Sequence, residues 1–279
     1  MNFELKTFLS KPHTFSHYPV QTGELDQQRL TLLNKLYNPI SKSVFIEYGI
    51  SDAHKILEIG CGGGEFACWL ATMVGPNGYV FAIDNDAKQI EIASKLAKSR
   101  GITNIEFCQM SLENIPSLKE KFDFVYARWV LMYVVNKTES IRYMYNALDF
   151  GGTLICEDID SVKSSILAYP ETDILEKWIS YWESNFTTLG LKINFFEEIY
   201  DNFSKLSLQN ITLRANQPIL LTQEEKSIFR LGINATRHNV VDVLNYNKFL
   251  DDVIRFEKQN SLIWYFRNTI IAGKKLNFK

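Results

Sequence analysis

The chain has 279 residues, with 30 Lys and Arg against 32 Asp and Glu, a formal net charge of -2 and 46% hydrophobic residues. That length buries a substantial core without staples, and the balanced charge predicts no nucleic-acid footprint, which shows as a basic domain or stripe. The four cysteines form no Cys-x-x-Cys pair and the four histidines have no ligand spacing, so free thiols in a reducing compartment and no metal site are expected. No apolar run reaches the roughly 18 residues of a membrane span and no signal-peptide core opens the chain, so a soluble, cytoplasmic protein is expected.

Residues 1–50 read as an N-terminal helical arm, with Tyr18 in an irregular segment before the first helix. Lys55 to Gly64 (KILEIGCGGG) then carries the strongest signal: an apolar strand, Glu58, and glycines at 60, 62 and 64. Glu65 to Val74 has the spacing of the helix that follows. A glycine-rich turn between strand and helix lets backbone approach a nucleotide-like ligand that side chains would exclude. A dinucleotide fingerprint starting at Gly60 would place its third glycine on Glu65, which is electrostatically wrong for a pyrophosphate.

Gly78 to Asp84 reads as the next buried strand. Asp84 ends it about twenty residues beyond the glycines, where a carboxylate accepts hydrogen bonds from a ribose diol, each worth roughly 1.5–3 kcal/mol. The competing role for Asp84 is to cap the helix expected over Ala87 to Ser99. Further strands are expected at Asn104 to Gln109, Lys121 to Ala127 and Gly151 to Asp158, with a helix over Lys137 to Leu148. This alternation predicts a doubly wound, mostly parallel sheet with helices on both faces. Leu206 to Ala215 and Leu262 to Ala272 are two more strand candidates. The segments 161–195 and 222–260 are too helical for loops and are assigned to a cap inserted in the domain spanning 51–279. Within that cap Trp178, Tyr181 and Trp182 share one helical face, either packing it onto the sheet or walling a pocket.

The run Glu-x-Gly-x-Gly-x-Gly headed by Glu58, with Asp84 after the second strand, resembles the class I S-adenosylmethionine-dependent methyltransferases. FDFVYARWVLMYV, a helix and ALDFGGTLICEDID also resemble the fourth and fifth strands of the group that includes small-molecule methyltransferases. The resemblance runs from roughly residue 18 to 273. It implies a seven-stranded Rossmann-like sheet of order 3-2-1-4-5-7-6, with the seventh strand antiparallel. It also implies S-adenosylmethionine as cofactor, with Glu58, Gly60, Cys61, Gly62, Gly64, Asp84 and Asn85 around it. Tyr18 would close over the site. One position departs from the family pattern: Ser111 stands where an aspartate often holds the adenine amino group, leaving Ser111 and Leu112 to recognise the base.

The carboxyl ends of parallel strands form the binding edge. There the sequence places Arg128, for the methionine carboxylate or substrate, and Trp129 and Met132 three residues apart. Glu157, Asp158 and Asp160 follow the fifth strand. Glu157 and Asp158, nearest the strand end, are the candidates for substrate positioning or general base, against the alternative of a solvated loop. His238, in the cap, is a bystander by default. The function expected is methyl transfer to an O, N or C nucleophile of a small molecule. Aminopropyl transfer on the same fold and a non-catalytic cofactor-binding module are the alternatives, and a homodimer stays open.

Overall fold

In this computed structural model, residues 20–160, 165–188, 191, 196–237 and 243–276 are described. Helix α1 (Gln27–Glu47) follows a 3-10 turn at Glu24–Asp26 and carries a stripe of Leu33, Tyr37, Ser41, Val44 and Phe45 at helical spacing. Tyr37 and Phe45 are 1% and 0% exposed, so α1 is built into the core. Phe45 meets Phe66, Phe124 and Tyr126 with ring centroids 5.2–5.7 Å apart, contacts of a kind worth about 0.5–1.5 kcal/mol each beyond burial.

Strand β1 (Lys55–Ile59), helix α2 (Glu65–Met73), strand β2 (Tyr79–Asp84), helix α3 (Ala87–Ser99), strand β3 (Ile105–Gln109) and strand β4 (Phe122–Arg128) alternate as expected. The side chain of Asp86 caps α3 by accepting from the Lys88 N–H at 2.7 Å. Helix α4 (Lys137–Ala147) passes directly into strand β5 (Leu148–Ile159), three residues earlier than the glycine pair suggested. Leu148 already pairs with Phe122 of β4, and a register shift between Phe122 and Phe124 takes up the residues before Thr153.

Strand β6 (Leu167–Tyr169), helix α5 (Asp173–Thr188), helix α6 (Phe196–Ser204), strand β7 (Leu208–Asn216) and the short strand β8 (Ile219–Leu220) come next. They are followed by helices α7 (Gln223–Lys226), α8 (Ile228–Ala235) and α9 (Val243–Glu257), then strands β9 (Leu262–Trp264) and β10 (Asn268–Lys275). The main sheet has order β3-β2-β1-β4-β5-β10-β7, with β10 antiparallel to both neighbours. That is the order the family resemblance implied.

The stretch Leu262 to Ala272 is not one strand. β9 pairs with β6 and β8 in a separate three-stranded sheet, and β10 alone enters the main one. Tyr265 and Phe266 between them are both buried, with rings 4.9 Å apart. Two consecutive buried side chains break the alternation a single half-buried strand would need. Among the described residues no helix is long and apolar enough to cross a membrane.

Candidate active site

A cavity of about 430 Å3 opens where the carboxyl ends of β1, β2 and β4 meet α1. Among the residues the sequence singled out, Glu58, Gly60, Cys61, Gly62, Asp84, Asn85, Ser111, Leu112, Arg128 and Trp129 line it together. Gly60 and Gly62 have φ of 71° and 51°, a region closed to most side chains. The N–H groups of Gly60 and Cys61 donate to Ile83 O at 2.8 and 3.0 Å, which ties the loop to β2. A Cβ on Gly60 would strike Val130 Cγ2. Burial raises the pKa of the Cys61 thiol, so it stays protonated.

Asp84 is relieved of capping by Asp86. Its Oδ2 accepts from the Gly62 N–H at 2.9 Å and its Oδ1 from the Asp86 N–H at 3.0 Å. Burial raises its pKa, opposed by those two N–H donors. A carboxylate offers about four acceptor sites, so the two bonds fix its plane and leave capacity for a vicinal diol. Glu58 is 4% exposed, and its Oε2 has no hydrogen-bond partner. Burial pushes its pKa up to about 8, with Arg128 pulling it down and Asp84 pushing it further up. A buried, unpartnered acceptor on a cavity wall is costly unless a ligand donor or cation meets it.

Arg128 lines the cavity with its guanidinium bonded to α1. It donates through Nη2 to Asn34 at 2.7 Å and through Nη1 to Asn38 at 2.8 Å and Ser41 at 3.3 Å. Residues 34, 38 and 41 lie on one face of α1, so Arg128 fastens that helix over the cavity. Its guanidinium also sits 5.2 Å from the Phe66 ring centroid. The Ser111 hydroxyl donates to the Glu113 carboxylate. Its oxygen keeps lone pairs for a base amino group, while its proton is committed.

Glu157 and Asp158 are both 1% exposed and neither is on the cavity wall. Glu157 Oε2 accepts from Ser41 Oγ at 2.6 Å and Tyr126 Oη at 2.8 Å, and Oε1 accepts from Asn268 Nδ2 at 3.1 Å. Asp158 accepts from the Met132 and Ile159 N–H groups, both at 3.2 Å. Burial pushes its pKa up to about 8, against those two N–H bonds and Lys137. The structure thus places these two candidates for substrate positioning or general base neither on the cavity wall nor in a solvated loop, but as buried, internally bonded carboxyls. Asp160 pairs with Arg267 at 2.6 Å.

Gly64 also lies off the wall. It starts α2 with φ of 77°, and a Cβ there would come within 2.6 Å of Ala93 Cβ on α3, so it is a packing glycine. Met132 is buried off the wall, and Trp178 packs on Phe229 and Phe266 at 5.0 and 5.3 Å rather than facing the cavity. Tyr18 and His238 lie outside the described residues.

Sequence reasoning missed Gly63 and the roof, where Leu30, Leu33, Asn34 and Tyr37 of α1 line the cavity. Their three- and four-residue spacing marks one helical face, but not which end of the sheet it covers. Trp129 has φ of 53°, a left-handed conformation that costs roughly 1–2 kcal/mol for a residue with a Cβ.

A family model described as "Methyltransferase domain" matches residues 50–232, more than half of the chain. The ubiquinone/menaquinone biosynthesis C-methyltransferase UbiE of Pseudomonas paraeruginosa is 29% identical over 121 residues, covering 43% of this chain and 47% of that protein. The chain thus matches about half the length of such curated relatives. Among solved structures, the YcgJ protein of Bacillus subtilis superposes with a TM-score of 0.59 at 18% identity, covering 85% of this chain and 98% of that one. The [4+2]-cyclase SpnF does so with 0.56 at 16% identity, covering 93% and 99%. At these identities the two structures establish the fold alone.

Proposed function

The chain belongs to the methyltransferase-domain family, class I and S-adenosylmethionine-dependent, and from that premise we propose that it methylates an O, N or C nucleophile of a small molecule by in-line displacement. The unpartnered Glu58 Oε2 carries the reading. A buried acceptor beside a glycine loop fits the ammonium of the cofactor's methionine part, and Asp84, held by two backbone donors, fits the ribose hydroxyls. Met110, Ser111 and Leu112 line the place for the base. When bound, the cofactor supplies an electrophilic methyl group on a sulfonium centre.

The chain's own work is then to hold the acceptor in line and to keep water out, which supplies roughly 7–11 kcal/mol of such a barrier. α1 roofs the site, and Arg128 holds α1 down through Asn34, Asn38 and Ser41. Glu157 and Asp158 act from outside the cavity, as supports rather than as bases. The relative UbiE is a C-methyltransferase, which supports carbon as one acceptor atom. The charge of -2 supports a small molecule over nucleic acid, and four free cysteines support a reducing compartment such as the cytoplasm.

The test is calorimetric titration of the full chain with S-adenosylmethionine, S-adenosylhomocysteine and NAD. The expected result is micromolar binding of the first two and none of NAD, with Asp84→Ala weakening binding by about 100-fold or more through two lost charge-assisted bonds. Folded protein that binds neither sulfur nucleoside would sink the proposal.

A further inference from the structure

Beyond the cofactor half, the cavity wall is made by Leu33 and Tyr37 of α1 and by Trp129, Val130, Tyr133 and Val134 after β4. Four polar residues on this side are bonded to protein partners. Arg29 bonds Asp26 through two donors at 2.6 Å, Asn34 accepts from Arg128, and the Tyr37 hydroxyl donates to Phe266 O at 2.7 Å. What faces the space is mainly aromatic and aliphatic surface.

Trp129 stands out within it. A bulky residue in the left-handed region persists only when its surroundings over-determine it, and such outliers cluster at functional sites. Three contacts hold this one. Its backbone N–H donates to Glu157 O at 2.9 Å, extending the β4–β5 ladder by one bond. Its indole Nε1–H donates to Asn268 Oδ1 at 2.9 Å. The Tyr37 ring meets the indole edge-on, with centroids 5.0 Å apart.

Asn268 is itself fully buried, and its Nδ2 donates to Glu157 Oε1 at 3.1 Å. An indole N–H only donates, so the Asn268 amide oxygen must face Trp129 and its NH2 group is turned to Glu157. Glu157 is locked in turn by Ser41 and Tyr126. A rigid chain thus runs from two strands and α1, through Glu157 and Asn268, to one indole on the cavity wall.

We propose that the methyl acceptor is a planar, mainly apolar molecule that seats against the Trp129 indole, and that Asn268 and Glu157 are positioning residues that fix this ring. The proposal rests on the methyltransferase reading of the same cavity. It assigns Glu157 a purpose other than acid-base work, and it makes Trp129 a determinant of acceptor choice.

The test uses the full chain labelled with 5-fluorotryptophan and saturated with S-adenosylhomocysteine, followed by fluorine NMR. Five tryptophan lines are expected, and the line lost in Trp129→Phe is assigned to Trp129. Titration with 2-naphthol, a planar neutral probe, is expected to shift that line saturably and to leave the Trp264 line in place, whereas choline shifts neither. Asn268→Ser is expected to broaden the Trp129 line selectively and to weaken 2-naphthol by about tenfold, while S-adenosylhomocysteine affinity stays within about threefold. A merely structural asparagine would move all the lines or none. If Asn268→Ser does not fold, Trp129→Leu carries the test, with 2-naphthol affinity read from the probe's own emission. The proposal is overturned if 2-naphthol leaves the Trp129 line unmoved, or binds Trp129→Leu as well as the parent. Failure of S-adenosylhomocysteine to bind the parent is a different result, and it removes the cofactor reading first.

Discussion

Glu58 shows what burial does to a single residue at this site. With its pKa pushed up to about 8 by burial, its carboxyl is mostly protonated at neutral pH. A bound ammonium favours the charged form, so cofactor binding should release close to one proton at pH 6.5. Affinity should rise about tenfold per pH unit below 8 and level off as the ligand's own amino group, with a pKa near 7.7–8.0, loses its charge. Calorimetry in two buffers of different ionisation enthalpy reads that proton directly, and Glu58→Gln should abolish it. Equal heats in both buffers would mean that Glu58 does not meet a cation. The same shift acts on folding with a definite sign. A carboxyl whose pKa is higher folded than unfolded stabilises the fold at low pH, and that contribution declines as pH rises from the unfolded value, about 4.3, to the folded one. Asp158, with a pKa of about 8 from burial, adds a decline of the same sign.

At the scale of elements, the loop between β1 and α2 does two jobs with neighbouring glycines. Gly60 and Gly62 line the cavity, whereas Gly64 lets α2 start against Ala93 of α3. Gly64→Ala places a methyl group within 2.6 Å of Ala93 Cβ at a φ of 77°, combining overpacking with left-handed strain. We expect a loss of about 2–4 kcal/mol, read as a lower urea midpoint with an unchanged slope. The expectation fails if the variant melts with the parent. The glycine pattern itself was plain in the sequence, because a strand, three spaced glycines and a helix are local. The two roles were not, since Ala93 and Val130 reach the loop only through tertiary packing. The same holds at the end of β5, where Glu157 and Asp158 read as substrate-positioning or base candidates with a solvated loop as the alternative. Two of the donors to Glu157, Ser41 and Asn268, lie 116 and 111 residues away from it.

Over the whole molecule, β10 is the element that closes the sheet, paired to β5 on one side and β7 on the other. It enters last, from the far end of the chain. A chain ended after residue 267 leaves β5 and β7 with unpaired edges and takes from the core Ile270 and Ile271, which are 2% and 0% exposed. Loss of the cooperative thermal transition is the expected outcome, and a truncated chain that still melts in one step would contradict it. β9, only four residues earlier, serves the other sheet, and this division allows Tyr265 and Phe266 to pack inward against Trp178 of α5.

The sequence by itself determined the alternating elements and the glycine turn after β1, which follow from periodicity and from backbone freedom within a few residues. The cofactor end of the sheet and the residues along it came from the family resemblance that those motifs carry. Only the tertiary structure decided which helix roofs the cavity, how β9 and β10 divide between two sheets, and which carboxylates reach the wall. Burial and hydrogen-bond partners settle those questions, and both are set by residues distant in the chain. Glu58, on the cavity wall, is left with a buried oxygen that has no partner, and Glu157, off it, with three donors. Side-chain type alone could not separate the two.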